Sequence, residues 1–415
     1  MRKKFLILTG VFVAAVVGAS FNLNSPRAYA LTNAIVSGTN AQTGYQSTSF
    51  DGRYIAFLSG SSTLVSGDTN GKVDAFIRDT QANTTTRISI STTGTQANRD
   101  IQRVILTGNG RYALMATTAT TLGGDTQYSQ GTTNVYLRDI KLGTTTLVAS
   151  GIGGSGVTNH AEALSEDGRF VYYSVFDTHL GTQGLKVKDM VTDTVTRIDV
   201  NDTGTGANEL PDFSSASTSC DGRFVVFSSL ATNLVANDTN GYGDVFLVDR
   251  MGGTIKDITA SGNDVSLWPK ISCDGNQILF TTKASNILAS DTNSTYDIVQ
   301  YSVPNDTYTA VSLDESGNQF GDNYSTSGGV SFGQDNVMSI DGRYVAFTDF
   351  KYFSGELRSR ILLRDTWNAT TTAITPAFNP YAASKAPALT ADGKTLYYAY
   401  MNWVTTYDIY KASGY

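Results

Sequence analysis

The sequence predicts an all-β fold, a single seven-bladed β-propeller built from four-stranded blades. Three observations predict it. One short phrase recurs seven times, its copies lie 51 to 67 residues apart, and the composition favours strands, with 40 Gly, 22 Tyr and only 7 Pro. Sequence repeats of this length are typical of propeller blades, and seven is a common number of blades.

The repeated phrase predicts the first two strands of each blade. Its first copy reads Asp51-Gly-Arg-Tyr-Ile-Ala-Phe57. Asp-Gly and Asn-Gly favour a tight turn, because both residues tolerate positive φ. The apolar run that follows is continuous, as expected for a strand that neighbouring blades cover on both faces. The seven copies begin at Asp51, Asn109, Asp167, Asp221, Asp274, Asp341 and Asp392.

A third and a fourth strand follow in each copy. The third strand is seen in Asp74-Ala-Phe-Ile-Arg-Asp79, and a Thr-rich turn then leads to an outer strand such as Thr86-Arg-Ile-Ser-Ile90. Both segments are short and rich in β-branched or aromatic residues. Each repeat therefore supplies the four strands that a blade needs.

The last copy predicts how the ring closes. It reaches a third strand at Tyr407-Asp-Ile-Tyr410 and has no outer strand after it. The segment from Asn33 resembles the outer strand and exit loop at 88–98, so we expect residues 33–37 to complete the seventh blade. That strand would tie the two ends of the ring together and remove a free edge. An open solenoid or a pair of small sandwiches are the alternatives.

The repeat resembles a known family. The phrase Ser-x-Asp-Gly-Arg-Tyr-Val-Ala-Phe, which ends at Phe347, and the Asp-Val-Phe strand that starts at Asp244 are similar to the TolB-type, WD-like (PD-type) propeller repeats of exported bacterial proteins. The resemblance covers residues 31–415. It implies a propeller, but no single function, since such folds serve as binding scaffolds, enzyme partners and occasionally catalytic domains.

The first thirty residues predict export. Arg2, Lys3 and Lys4 precede an apolar run from Phe5 to Ala19, and Ala28-Tyr29-Ala30 supplies the small-x-small pattern of a cleavage site. The run is shorter than the roughly 20 residues of a membrane span. We expect residues 1–30 to be a signal peptide cleaved after Ala30, which places the protein in the periplasm or outside the cell with no membrane span.

Charge excludes two classes of partner. The whole chain carries a net charge of −7, and removal of the leader with its four bases leaves 26 bases against 37 acids. Binding to nucleic acid or to an anionic membrane needs clustered Lys and Arg, which this composition does not offer. We expect a monomer whose partner is a protein or a glycan.

Three loops between second and third strands are candidate Ca²⁺ sites. Each spaces Asp, Asn and Asp oxygens around a turn, and Ca²⁺ takes six to eight oxygen ligands. The alternative is that these side chains cap backbone amides without a metal. Copies three and six lack the pattern. The candidate ligands are Asp68, Asn70, Asp74, Asp238, Asn240, Asp244, Asp291, Asn293 and Asp297.

The innermost strands carry the candidate ligand face. A mixture of aromatic and charged side chains lies where these strands begin, on the face that also bears the connections between blades. Such a mixture could hold a glycan or a peptide, and the alternative is ordinary rim residues. The connection from Gly317 to Met338 could form a flap over this face. The candidates are Tyr45, Arg103, His160, Glu162, Trp268 and Lys385.

No catalytic residue is predicted. The two histidines, His160 and His179, lie on different blades without metal-ligand spacing, and no Ser stands in a nucleophile elbow. Cys220 and Cys273 occupy the same slot in adjacent blades. They could form a disulfide after export, unless that slot separates their Cα atoms by more than the usual limit near 7 Å.

These observations lead to one functional hypothesis and two alternatives. The hypothesis is an extracytoplasmic scaffold that engages a protein or a cell-surface glycan through one propeller face. The first alternative is a carbohydrate-active enzyme, a lyase or glycoside hydrolase, at the channel mouth. The second is a structural surface protein stabilised by Ca²⁺. No cofactor other than Ca²⁺ is indicated.

Overall fold

The computed structural model describes most of the chain after residue 40. The described ranges are 41–124, 132–150, 157–177, 183–209, 216–236, 238–293, 295–320, 329–330, 337–353, 356–375, 382–402 and 407–415. The segment predicted to be a signal peptide lies outside them. The described ranges contain no apolar helix of the length that a membrane span requires.

The described residues form 28 strands arranged in seven blades. Blades one to three are β1 Ala41–Thr48, β2 Tyr54–Ser59, β3 Asp74–Asp79, β4 Thr84–Arg87; β5 Ile101–Leu106, β6 Tyr112–Thr117, β7 Asn134–Asp139, β8 Thr144–Ala149; β9 Val157–Leu164, β10 Phe170–Asp177, β11 Gly184–Asp189, β12 Thr194–Arg197. Blades four and five are β13 Ser217–Thr218, β14 Phe224–Ser229, β15 Asp244–Asp249, β16 Thr254–Asp257; β17 Ser266–Ile271, β18 Gln277–Thr282, β19 Asp297–Ser302, β20 Thr307–Ala310. Blades six and seven are β21 Gly329–Val330, β22 Val337–Met338, β23 Tyr344–Phe353, β24 Glu356–Asp365, β25 Thr370–Ala373; β26 Ala382–Leu389, β27 Thr395–Asn402, β28 Tyr407–Ser413.

Each blade is an antiparallel meander, as the repeat predicts. In blade four the order is β13-β14-β15-β16, with Phe227 opposite Phe246 in the central pair. Inner strands deviate from regular pairing: those of blades one, two, three, five and seven contain a register shift. A bulge of this kind bends the strand and re-aims its side chains.

The hydrophobic core lies between blades. One cluster joins Ala56 and Leu58 of blade one to Leu106 and Met115 of blade two. The second strand is buried on both faces, so that in β14 five of the six residues are buried. This arrangement confirms that neighbouring blades cover both faces of the second strand, as the continuous apolar runs predict, because successive residues of a strand point to opposite faces.

The Arg of the phrase ties the turn to the third strand. Arg53 donates to Asp79, with Nη2 2.7 Å from Oδ2, and its guanidinium lies 4.9 Å from the ring centre of Tyr54. Asp79 also accepts from the amides of Gln81 and Ala82, which caps the turn into the outer strand. Equivalent ion pairs are Arg111–Asp139, Arg169–Asp189, Arg223–Asp249 and Arg343–Asp365.

The aromatic residue after this Arg packs on the Asp-Gly turn of the next blade. A Cβ added to Gly110 would lie 2.5 Å from Tyr54 Cδ2, and one added to Gly168 would lie 2.8 Å from Tyr112 Cδ2. The turn glycine therefore has two roles. It takes positive φ, 71° at Gly110, and it admits the neighbouring ring. The repeated phrase thus encodes contacts between blades as well as strands.

A ring of hydrogen bonds circles the axis at the turn end of the inner strands. We call it the belt, and its members are Phe50, Gly108, Glu166, Cys220, Cys273, Ile340 and Ala391. The amide of each donates to the backbone oxygen of the member in the next blade, at 2.6 to 3.2 Å. The exception is Gly108, whose amide donates to Glu166 Oε1 at 2.8 Å.

The belt confirms that the ring is closed. The amide of Ala391 in blade seven donates to the oxygen of Phe50 in blade one at 2.9 Å, and Ala41 of β1 pairs with Tyr407 of β28. These contacts exclude an open solenoid and separate sandwiches. Residues 33–37, predicted to complete the seventh blade, lie outside the described residues.

The belt also brings the two cysteines together. Cys220 and Cys273 form a disulfide with their Cα atoms 4.5 Å apart, inside the limit that made the pairing doubtful from sequence alone. The amide of Cys220 donates to the oxygen of Cys273. These two belt members approach one another as closely as residues of paired strands do, and their slot in adjacent blades can therefore be cross-linked.

Candidate functional site

The inner strands enclose a channel that contains a cavity of about 290 Å³. Its wall combines apolar side chains with Arg103 of blade two, Glu162 of blade three and Lys270 of blade five. Glu166 of the belt lies at its border with a second cavity of about 270 Å³, which the belt lines. Charged groups of both signs thus line the same cavity.

Arg103 and Glu162 were predicted as face residues, and the structure places both on the channel wall. Glu162 is 4% exposed, and its Oε1 accepts a hydrogen bond of 2.6 Å from Ser174 Oγ. Arg103 is half-buried, and its Nη1 is buried without a hydrogen-bond partner among the described residues. A buried guanidinium nitrogen without a partner would be stabilised by an anionic acceptor.

The pKa of the His160 imidazole is set by burial and by the charge of Arg103. Burial lowers the pKa of the imidazole, and the positive charge of Arg103 lowers it further. Both effects disfavour the protonated form. His160 therefore favours the neutral imidazole more strongly than a free histidine does, and the permanent positive charge of this wall comes from Arg103 and Lys270.

Trp268 has a strained backbone on the inner strand of blade five. Its φ is 53°, in the left-handed region that bulky residues seldom adopt, and it lies inside the register shift between Leu267 and Lys270. Such a conformation costs on the order of 1–3 kcal/mol and is characteristic of functional sites. The half-buried Trp268 therefore remains a candidate ligand-binding residue.

The side chains of two predicted face residues, Tyr45 and Lys385, lie outside the described part of the structure. Most of the connection predicted to form a flap lies outside it as well. Sequence reasoning missed Lys270 and Glu166. Lys270 follows Trp268 by two residues across a register shift that the sequence does not reveal. Glu166 occupies the belt slot of its repeat, which alignment of the seven copies identifies.

The Asp-x-Asn loops are organised by their Asn. Asn70 Oδ1 accepts from the amide of Lys72 at 3.0 Å, and its Nδ2 donates to Asp74 Oδ2 at 2.9 Å. Asn240 and Asn293 make the same pair of contacts in blades four and five. The Asn therefore closes the turn and holds the loop to the first residue of the third strand.

The three loops differ in charge. In blade one, Arg87 of the outer strand reaches both acids, with Nη1 3.0 Å from Asp68 Oδ1 and 3.6 Å from Asp74 Oδ2. In blade five the equivalent residue is Ala310, and both oxygens of Asp297 accept from the amide of Asn293. The loops of blades one and five are thus satisfied by the chain itself.

Blade four instead brings three carboxylates together. One oxygen each of Asp238, Asp244 and Asp257 lies within 4.8 Å of the others. Burial raises the pKa of Asp244 to about 6. Burial, followed by the charge of Asp244, raises that of Asp257 to about 7. Asp257 was missed from the sequence, although it aligns with Arg87 once the outer strands are superposed.

Comparison with known proteins supports the fold. No protein-family model and no curated protein sequence matches the chain. Solved structures do. The match to an oligogalacturonate lyase from Vibrio parahaemolyticus covers 91% of this chain and 92% of the lyase chain, at 10% identity and a TM-score of 0.58. The match to a prolyl endopeptidase covers 91% of this chain and 49% of the endopeptidase chain, at 10% identity and a TM-score of 0.57.

TolB from Acinetobacter baumannii is a more distant match, at 16% identity over 68% of this chain and a TM-score of 0.40. This chain spans 60% of that TolB. At these identities the likeness is one of fold. The predicted seven-bladed propeller architecture is confirmed by the ring itself.

Proposed function

We propose that the protein is an exported, non-catalytic binding scaffold that engages a carboxylate-bearing ligand, part of a glycan or of a protein, through the channel wall. The observation that carries the proposal is Arg103 Nη1, buried and without a hydrogen-bond partner among the described residues, on a side chain that lines the cavity. An unpaired buried donor is costly, and an anionic ligand would satisfy it.

The rest of the wall supports this chemistry. Lys270 adds a second cation. Glu166 accepts from the amides of Gly108 and Asn109, and one oxygen of Glu162 accepts from Ser174. Trp268 does not line the cavity, but it offers an aromatic surface on the same strand as Lys270. Arg and an aromatic residue are the side chains that most often anchor a ligand in an interface. The leader predicted at residues 1–30 supports a ligand outside the cytoplasm.

The proposal is tested by binding measurements on purified protein with four probes. Polygalacturonate and alginate are uronate glycans, poly-glutamate is an acidic peptide, and dextran is an uncharged control. We expect at least one acidic probe to bind, and Arg103→Ala to weaken its affinity at least tenfold. Lys394→Ala removes an exposed cation on the turn of blade seven and should leave the affinity unchanged. Absence of binding by every acidic probe, or equal binding by the Arg103→Ala variant, would overturn the proposal.

An enzymatic role is the alternative that the buried Glu162 and the neutral His160 keep open. The same incubations distinguish it, because a lyase produces unsaturated uronates with a new ultraviolet absorbance and a hydrolase releases reducing ends. We expect neither signal. Appearance of either, with loss in a Glu162→Gln variant, would replace the scaffold by a carbohydrate-active enzyme.

A further inference from the structure

The three carboxylates of blade four come from separate segments. Asp238 lies in the loop between β14 and β15, Asp244 begins β15, and Asp257 ends the outer strand β16. With one oxygen of each inside 4.8 Å of the others, the loop and the two strands converge on one point. Three like charges at such distances repel one another.

Oxygens of all three residues lack partners. Asp238 Oδ1, Asp244 Oδ2 and Asp257 Oδ2 are buried and accept no hydrogen bond from the described residues. Asp244 is 0% exposed, and its other oxygen accepts from Asn240 Nδ2 and Thr259 Oγ1. A fully buried carboxylate with an unpaired oxygen, beside two more acids, must take up a proton or bind a cation, because burial of an uncompensated charge is strongly unfavourable.

The chain itself shows where a cation belongs. In the register of the third and fourth strands, Asp257 pairs with Phe246 as Arg87 pairs with Phe76 in blade one. Phe246 and Phe76 each lie two residues after the first Asp of their third strand, so the two positions are equivalent. Blade one therefore supplies a guanidinium to its two loop acids, whereas blade four supplies a third acid.

We propose that Asp238, Asp244 and Asp257 bind one Ca²⁺ ion, which takes the place that the Arg87 guanidinium has in blade one. All donors are carboxylate oxygens, which suits a hard cation rather than Zn²⁺. Their spread fits Ca²⁺, whose ligand distances of about 2.3–2.6 Å place opposite ligands roughly 4.6–5.2 Å apart. Asp238 and Asp257 are half-buried, so water can fill the remaining positions.

The ion would join the loop to the outer strand and stabilise the adjoining start of blade five, because the amide of Ser266 in β17 donates to the oxygen of Gly243 in this loop. Blades one and five should bind no ion. In blade one the Arg87 guanidinium already pairs with the loop acids. In blade five both oxygens of Asp297 accept hydrogen bonds from the side chain of Asn293. The inference is independent of the ligand at the channel wall.

Calorimetric titration of chelator-treated protein with CaCl₂ tests the site. We expect one ion per chain, with a Kd between about 10⁻⁵ and 10⁻³ M, as in extracellular modules and weaker sensors. Ca²⁺ should also raise the melting temperature. Asp257→Arg copies blade one and should abolish binding without lowering the melting temperature of the metal-free protein. Asp291→Asn removes an acid from the equivalent loop of blade five and should leave the stoichiometry at one.

Asp257→Asn provides a second variant if Asp257→Arg does not fold, and it should weaken binding at least tenfold. Absence of Ca²⁺ binding by the unmodified protein at millimolar concentrations would overturn the proposal. Undiminished binding by the folded Asp257→Arg or Asp257→Asn protein would overturn it as well, since the ion would then lie elsewhere.

Discussion

Single residues set the packing around the axis. Gly108 is a belt member with ordinary φ, yet a Cβ added there would lie 2.2 Å from the ring of Phe50. The glycine is required by the close approach of a neighbouring blade. The repeat phrase does not reveal this requirement, because the belt slot holds a different residue in every copy except the two cysteines.

Gly108→Ala should therefore lower the free energy of unfolding by about 1–3 kcal/mol, the usual effect of overpacking. Gly60→Ala is the matched control, because its Cβ would meet only Val73 Cγ2 at 3.8 Å. Urea unfolding measures both variants. Phe50→Leu should recover part of the loss in the Gly108→Ala background, and equal stability of the two glycine variants would contradict the packing.

His160 offers a direct probe of the channel wall. Arg103→Ala should raise the pKa of the imidazole towards its ordinary value, because the variant removes a positive charge and admits water. The chain has only two histidines, so an NMR titration of the ring protons, with His179→Gln for assignment, resolves it. A pKa that stays constant or falls would place Arg103 away from His160.

Some site residues could be predicted from the sequence and others could not. Arg103, His160, Glu162 and Trp268 follow from the start of each inner strand relative to the repeated phrase. Asp257 was missed because an Asp in an outer strand has no local signature. Its role as a candidate metal ligand becomes visible only when strand pairing places it beside Asp238 and Asp244.

At the scale of elements, the Asp-Gly-Arg-aromatic phrase is a structural unit. Its Arg holds the turn against the end of the third strand, where the Asp also caps the next turn. The hydrogen bond from Arg53 is the main cause that lowers the pKa of Asp79 to about 2, and the one from Arg223 does the same for Asp249. Arg169 likewise lowers the pKa of Asp189.

These pairs predict acid sensitivity. A carboxyl whose pKa is lower in the folded chain than in the unfolded one stabilises the fold above its unfolded value near 3.8, and this contribution is lost as the pH falls towards 2. The melting temperature should therefore drop steeply between about pH 4 and pH 2. In Arg53→Gln, Arg169→Gln and Arg223→Gln variants the drop should be smaller.

Arg78→Gln is the control for this series, because Arg78 donates to Asn83 and Thr85 rather than to an acid. Its melting temperature should follow the same pH dependence as the unmodified protein. If the three paired variants also keep the full dependence, the Arg–Asp pairs are not its source.

Second, third and fourth strands could be predicted because their pattern recurs and their pairing is local. Inner strands were harder, since they are bulged and their side chains face the channel. Blade six departs most: its hairpin strands Tyr344–Phe353 and Glu356–Asp365 are ten residues each, where the other blades have shorter ones. The absence of an Asp-x-Asn loop in the sixth repeat indicates that this blade differs from the others. The long hairpin that replaces the loop is held by contacts such as those of Arg360 with Asp349 and Glu315, which the sequence does not reveal.

At the scale of the molecule, the disulfide fastens two blades of the ring. It links residues 53 apart in sequence. Closing a loop of this length stabilises the fold by about 4 kcal/mol in the chain-entropy model. The double variant Cys220→Ser, Cys273→Ser should therefore lose stability of that order in urea unfolding.

Reduction of the unmodified protein should lower its stability to that of the double variant, and the double variant should not respond to reductant. Equal stability of the oxidised protein and the double variant would show that the bridge does not constrain the unfolded chain. Blade number and the closed ring could be predicted from the repeats, whereas the bridge depends on the belt.

Seven blades close into one ring through the belt, and the proposed ligand would bind at the channel wall inside that ring. Hydrogen exchange of backbone amides tests whether the ring is closed. The belt amides of Phe50, Cys220, Cys273, Ile340 and Ala391 should all be strongly protected and should exchange only when the whole ring unfolds. Rapid exchange of Phe50 and Ala391, with protection kept at Cys220 and Cys273, would show that the ring is open between the first and seventh blades.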